Sequence, residues 1–343
     1  MRELPVSGMK GILGGRRLLL APMAGVTDPV FRSICRELGA DLCFTEMISA
    51  KGLMYANEKT RRLLDTAPSE SDVSVQIFGH EPETMASQAA WIEEALGPKL
   101  VSIDINMGCP VRKIVTKGDG SALMKEPALA SAIVSAVKRA VSVPVTCKFR
   151  RSWDPSDQYE EAWEFGLRME EAGADAVCIH GRYSTQMYRG WSDRGCIAEA
   201  KRRMSVPVVG NGDVFTGEDA VLLADETGCD AVMIARGAMG NPWIFADACD
   251  ALADGGGFVP PSWKDRISMC RRHIREFDEF ANGHLGDMKR HAMKYVQGMP
   301  GASKARGAFG SCRTAEDFES VLNDLEKACQ SAEESCWEAM NAG

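Results

Sequence analysis

Leu100-Val101-Ser102-Ile103-Asp104-Ile105, followed at once by Asn106-Met107-Gly108-Cys109-Pro110, is the stretch on which the reading of the fold turns. A short apolar run ends in a turn, and the turn carries polar groups and a thiol. Similar runs, each rich in Val, Ile or Leu, recur at residues 18–20, 42–45, 73–77, 145–149, 176–179, 206–209 and 231–234. The segments between them, such as 83–96, 128–140, 159–172 and 217–227, have helical periodicity and polar starts. Eight apolar strands alternating with helices predict an α/β fold with a parallel sheet, closed as a (β/α)8 TIM barrel. A doubly wound open sheet is the alternative, but it usually has fewer strands, and no GxGxxG follows the first run.

After the eighth run, Gly255-Gly256-Gly257 and Pro260-Pro261 read as a linker. Beyond it, 263–281, 288–297, 302–309 and 315–329 are helical in pattern, with no strand signal. The expected organisation is a catalytic barrel over residues 1–255, a small all-helical domain over 256–330, and a frayed acidic tail over 331–343.

The composition, 45% hydrophobic and 26% charged, is that of a globular protein. There is no long uncharged apolar span, and residues 1–17 do not read as a signal peptide. The 12 Cys show neither CxxC pairs nor metal-type spacing, so reduced thiols, a cytoplasmic location, no membrane partner and no metal site are expected. The net charge of −8 argues at first against a nucleic-acid partner, but its distribution is uneven. Residues 260–313 hold eleven Lys/Arg against five Asp/Glu, or +6, and residues 314–343 hold one Lys against eight acids, or −7. On its own, the basic segment reads as a solvated helix face.

The strand ends carry Pro22-Met23-Ala24, Glu46, Gln76, Asn106 with Cys109, Lys148 with Arg150, His180 with Arg182, Asn211-Gly212-Asp213, and Ala235-Arg236-Gly237, a set in which hydrogen-bonding and charged groups converge on one rim. Such groups are costly to bury without a polar ligand, and strand C-termini are where barrels place their chemistry. The two Gly-containing turns after the last two strands match loops that bind phosphate through backbone N–H groups, with Arg236 adding a charge-assisted contact. Lys148 interrupts the apolar run Val145-Thr146-Cys147-Lys148-Phe149 and needs an anionic or electron-rich partner. A flavin fits, because a cation beside its pyrimidine edge stabilises the anionic reduced ring. A Schiff-base lysine is the competing reading. Cys109 discriminates, since a reductase needs a proton donor opposite the hydride and an aldolase does not.

Several stretches, in order, resemble the tRNA-dihydrouridine synthases, closest to the bacterial B-type branch. They are Leu20-Ala21-Pro22-Met23-Ala24-Gly25-Val26-Thr27-Asp28, Gln76-Ile77-Phe78-Gly79, Asn106 to Pro110, Lys117-Gly118-Asp119-Gly120-Ser121-Ala122-Leu123-Met124, Ile179-His180-Gly181-Arg182, Gly210 to Asp213, and Arg236-Gly237 with Asn241-Pro242-Trp243. The helical region matches through Lys289-Arg290-His291, Lys294-Tyr295 and Gly298-Met299-Pro300-Gly301. The resemblance implies an FMN-dependent oxidoreductase that uses NADPH to reduce particular uridines of tRNA. It implies that Pro22, Met23 and Ala24 line the flavin, and that Gln76, Lys148 and His180 contact its ring or ribityl chain. Asn211, Gly212, Asp213, Ala235 and Arg236 would hold the phosphate end. Cys109 would protonate the base, and Asn106 and Arg150 would meet the uracil.

The chain departs from the family pattern at Pro29, one place early, at Ala235, where Gly usually precedes Arg, and at Ser192-Asp193-Arg194. Two other readings stay open on sequence: an FMN barrel oxidoreductase acting on a free pyrimidine or other enone, and a non-catalytic RNA-binding protein on a degenerate barrel. A basic helical region argues against the first. The intact Cys109 and Lys148 argue against the second.

Overall fold

A computed structural model describes residues 15–341 apart from 16, 157, 254, 282 and 283, so the expectations for residues 1–14 and 342–343 lie outside the described residues. Nine strands form one sheet: β1 (Leu18–Leu20), β2 (Leu42–Cys43), β3 (Ile48–Ser49), β4 (Val73–Phe78), β5 (Leu100–Met107), β6 (Val145–Arg150), β7 (Ala176–His180), β8 (Val208–Asn211) and β9 (Ala231–Ile234). All pairs are parallel, in the order β2-β1-β9-β8-β7-β6-β5-β4-β3, and a single bridge between Phe44 and Ser74 joins the two edges. The sheet is therefore a barrel, as the alternation of strands and helices predicts.

Nine strands replace the eight expected because the second run is split. The chain leaves the ladder after β2 and rejoins β4 as β3, pairing Ile48 with Ile77 and Ser49 with Phe78. Thr45 stitches the gap. Its backbone N–H donates to Ser74 O at 2.9 Å, and its hydroxyl accepts from the Gln76 N–H at 3.1 Å, in place of a ladder carbonyl. The strand expected at 206–209 begins instead at Val208, because Pro207 has no N–H to give a ladder. The early Pro29 is the first residue of helix Pro29–Glu37, where a missing N–H costs nothing, and the Asp28 carboxylate caps the N–H groups of Val30 and Phe31.

The barrel interior has two halves. On one side Leu19, Leu42, Phe44, Cys178, Val209 and Met233 pack as an apolar cluster. On the other, along β4 to β6, Ser74, Gln76, Ser102, Asp104, Asn106 and Thr146 are all buried polar groups. Buried polar atoms need partners, and these find one another, as described below.

The chain divides into two compact units, one of residues up to 237 plus 244–256, the other of residues 238–243 plus 257–343. The short stretch 238–243 belongs with the helices for packing reasons. Gly240, at φ +70°, lies so close to the Lys294 backbone that a Cβ would sit 2.3 Å from its carbonyl carbon, and Trp243 packs edge-on to Tyr295 at 6.4 Å. The second unit holds helices Trp263–Ala281, Met288–Tyr295, Ala302–Phe309 and Ala315–Asn341 around buried Ile267, Cys270, Phe277, Phe309, Phe318 and Leu322.

Residues 331–341, expected to fray, continue the last helix. Glu333 gives them an anchor, accepting from Trp263 Nε1 at 2.6 Å with Lys264 Nζ at 3.7 Å. The acidic helix also takes up part of the basic segment: Arg271 pairs with Glu319 at 3.0 Å and Glu326 at 2.7 Å. Among the described residues no helix is long and apolar enough to cross a membrane.

Candidate active site

The polar half of the barrel is a directed relay. Asp104 accepts from Thr146 Oγ1 at 2.5 Å and from Gln76 Nε2 at 2.6 Å. Gln76 Oε1 then accepts from Asn106 Nδ2 at 2.7 Å, which turns Asn106 Oδ1 towards the N–H groups of Gly108 (3.2 Å) and Cys109 (3.0 Å). A carboxylate only accepts, so it fixes which way both amides point. Burial pushes the Asp104 carboxyl up to about 6, against the hydrogen bonds from Thr146 and Gln76 and the charge of Lys148, and at neutral pH it remains ionised.

The relay ends at the thiol. Cys109 is half-buried at the end of β5, and burial raises its pKa, while a backbone hydrogen bond and the charges of Arg150 and Lys148 pull the other way. The net result is a protonated thiol at neutral pH. Arg150, 4% exposed, ties the Cys109 loop to its neighbour, donating from Nε to Gly108 O at 3.0 Å and from Nη1 to the carbonyls of Tyr183 and Met187. Burial holds the Arg150 guanidinium down to about 10, still a cation.

Lys148 lies directly opposite Asn106 in the β5–β6 register and donates to Asn211 Oδ1 at 3.0 Å, while Asn211 Nδ2 donates to Met233 O. His180 is neutral: burial, then Lys148, Arg150, Arg182 and Arg236, hold its pKa well below the ordinary value. Its Nδ1 accepts from the Arg182 N–H at 3.3 Å, which leaves Nε2 as the nitrogen that carries the proton.

Asp213 organises the far side of the mouth. It takes both Nη atoms of buried Arg182 at 2.8 and 2.7 Å, Arg236 Nη2 at 3.1 Å and the Ser192 N–H at 2.8 Å. Its own backbone is at φ +50°, a conformation costly for a residue with a Cβ, after Gly212 at +134°, which glycine adopts freely, and this network fixes the turn in place. Arg236 lies over the rings of Tyr188 at 4.8 Å and Phe215 at 5.5 Å. Pro22, Met23 and Ala24 form the turn after β1, closed by the Thr27 hydroxyl on Met23 N, and Ala235 packs on the apolar half of the barrel.

The family model described as "Dihydrouridine synthase (Dus)" matches residues 19–333. The chain belongs to the dihydrouridine synthase family. It is 36% identical over 329 residues to "tRNA-dihydrouridine synthase B" of Pseudomonas aeruginosa, covering 95% of each chain. It is 34% identical over 309 residues to "Probable tRNA-dihydrouridine synthase 1" of a Synechocystis species, covering 90% of this chain and 85% of that one. Among solved structures, a 6-hydroxypseudooxynicotine amine oxidase from Pseudomonas geniculata superposes with a TM-score of 0.50 at 13% identity, over 76% of this chain and 50% of that one, a likeness of fold alone.

In this dihydrouridine synthase the residues expected from sequence come together at the C-terminal ends of the strands, and several of them also bond one another. The Gln76 and Asn106 amides bond each other and the relay, and the Asp213 carboxylate is committed to two arginines. Asp104 and Thr146 are the site residues that sequence reasoning passed over. Asp104 had a readable signal, a charged residue inside an apolar strand, the same signal that singled out Lys148.

Proposed function

We propose that the protein reduces uridine in tRNA to 5,6-dihydrouridine, with FMN as its bound cofactor and NADPH as the reductant. Family membership supports the reaction. The observation that carries the chemistry is a thiol kept protonated by burial and fixed by a relay at a barrel strand end. The residues present suit a flavin mononucleotide. Lys148 offers a cation inside the mouth, His180 a neutral N–H donor, and the glycine turns with Arg236 a cationic rim for a phosphate.

Reduced flavin, when bound, supplies a hydride to C6 of uracil. Cys109 gives its Sγ proton to C5, so that hydride and proton together saturate the C5–C6 bond, and the thiolate left behind recovers a proton from water. Arg150 and Lys148 stabilise that thiolate electrostatically. Uracil must leave the RNA stack to reach a thiol at a barrel mouth. The exposed cations of the helical unit, among them Lys294, Lys304 and Arg306, offer phosphate contacts, whereas Arg271 and Arg272 are engaged with acidic neighbours.

The purified protein is expected to be yellow and to release FMN on denaturation. Arg236→Ala should weaken flavin retention by about 1.5–3 kcal/mol, one charge-assisted contact, measured by fluorescence titration of the apoprotein. Protein that neither carries nor takes up flavin would sink this reading.

A second result is expected at the base of the relay. Asp104→Asn substitutes a group that also donates, so it removes the charge and no longer obliges the Gln76 amide to point one way: its own amide can give N–H to the Thr146 hydroxyl or turn over and face Gln76 with a donor. Misplacing the Cys109 loop by about 1 Å should lower kcat for uridine reduction roughly 10²-fold. Flavin content should be unchanged. Wild-type kcat in this variant would show that the relay does not set the position of the thiol.

A further inference from the structure

Beside the Cys109 loop, within the barrel unit, lies a cavity of 740 Å³ to which the reading above assigns nothing. Its floor is apolar, with Ala50, Phe78, Met85 and Ile114, and its rim carries Lys51, Lys113 and Lys117. Two features tie it to the reaction centre. Phe78 follows Gln76 by two residues on β4, roughly 7 Å along the strand. Lys113 and Ile114 lie in helix Arg112–Val115, which begins three residues after Cys109. The far wall is locked to this loop by His80 Nδ1 and Asp119 Oδ1, 2.7 Å apart.

The charges of the rim are not balanced within the chain. Lys51 pairs with Glu81 at 2.9 Å, but Lys113 and Lys117 are both exposed and form no ion pair with another described residue. Both line the cavity, Lys113 from the helix Arg112–Val115 and Lys117 from the turn that follows it. Tyr55, at 70% exposed, stands at the same mouth. An apolar floor, an exposed phenol ring and two uncommitted cations are complementary to a planar base carrying phosphates. A free small anion would leave the floor unfilled, and an apolar ligand would leave the lysines unused.

We infer that this cavity receives the nucleotide adjoining the reduced uridine, its base against Phe78, Met85 and Ile114 and its phosphates at Lys113 and Lys117. The inference rests on the proposal that the protein reduces uridine in tRNA. The spacing suits it, because drawing one uridine into the barrel brings its chain neighbour to the rim, and the cavity lies there, next to the loop that bears the proton donor. It also gives the enzyme a means of reading sequence or loop shape beside the target base.

The test compares wild type with Thr84→Trp, which fills the cavity without altering charge, and with Lys113→Glu/Lys117→Glu, both exposed positions whose replacement leaves the core intact. Each is assayed for flavin reduction by NADPH and for dihydrouridine formation in a tRNA transcript. Both variants should reduce flavin at the wild-type rate and show KM for tRNA raised tenfold or more, with kcat little changed. The salt dependence of tRNA binding should also become shallower in the lysine variant alone.

If Thr84→Trp keeps the wild-type KM while the lysine variant does not, the lysines act as bulk charge and the inference is wrong. If NADPH reduction falls and KM for tRNA does not, the cavity serves the reductant, and the inference is equally wrong. Absence of dihydrouridine with the wild-type enzyme would overturn the proposed function itself, which separates the two failures.

Discussion

Cys109→Ala is expected to bind flavin and accept hydride from NADPH at the wild-type rate, yet to reduce uridine roughly 10²–10⁴-fold more slowly, the usual loss when a general acid is removed. Hydride entry to the flavin requires no acid at this position, so only the second half of the cycle should suffer. Cys109→Ser should be nearly as slow, since a hydroxyl is a far weaker acid than a thiol. Stopped-flow reoxidation of reduced enzyme by tRNA, set beside NADPH reduction of the same variants, separates the two halves. Undiminished reoxidation in Cys109→Ala would mean that the proton comes from another group.

The pH profile follows from the same residues. The active form has Cys109 protonated, and burial raises its pKa, so the rate should hold through neutrality and fall only at alkaline pH, above the ordinary thiol range. Asp104 must be ionised to direct the relay, and it titrates at about 6, so an acid limb is expected there. Asp104→Asn should abolish that limb along with most of the rate.

The largest loss of stability is expected at Asp213. Arg182 is 2% exposed, and removing its carboxylate partner leaves a buried guanidinium held, among the described residues, by the carbonyls of Arg189 and Gly190 alone. Breaking a buried pair in this way costs about 3–5 kcal/mol, which lowers Tm by roughly 10 °C in a unit of this size. Asp213→Ala should also lose flavin, because Arg236 loses its anchor and the strained turn loses the side chain that restrains it. Asp213→Asn tolerates the same backbone conformation and isolates the charge, so it should recover part of the stability but not the two-pronged contact with Arg182. Thermal unfolding within about 1 kcal/mol of wild type would show that Asp213 does not organise the mouth.

The barrel was legible because its strands are continuous apolar runs and its helices are amphipathic, both consequences of a parallel sheet covered on its outer face. The split at Thr45 was not legible, because a hydroxyl standing in for a ladder carbonyl leaves no mark on periodicity. Nor was the return of residues 238–243 to the helices, which depends on the absence of a side chain at Gly240. Cys109, Lys148, His180 and Arg236 stand out in sequence because polar groups at strand ends are conspicuous. Which of them meet ligands and which meet one another depends on lateral register across the sheet, a relation between distant residues that no local pattern records. Gln76 and Arg182 illustrate it: both stand at strand ends in sequence, and the fold sets the Gln76 amide between Asp104 and Asn106 and Arg182 against Asp213.

The division of the barrel interior into an apolar and a polar half sets two rules for how the sequence can drift. Around Leu19, Val209 and Met233 only volume is constrained, and swaps that conserve it cost under about 1.5 kcal/mol, so this half can wander one residue at a time. Along Asp104, Gln76 and Asn106 what matters is the order of donors and acceptors, and no single exchange preserves it. That half changes in concert or stays as it is, so the side of the ring that holds the thiol is frozen while the opposite side remains free to vary.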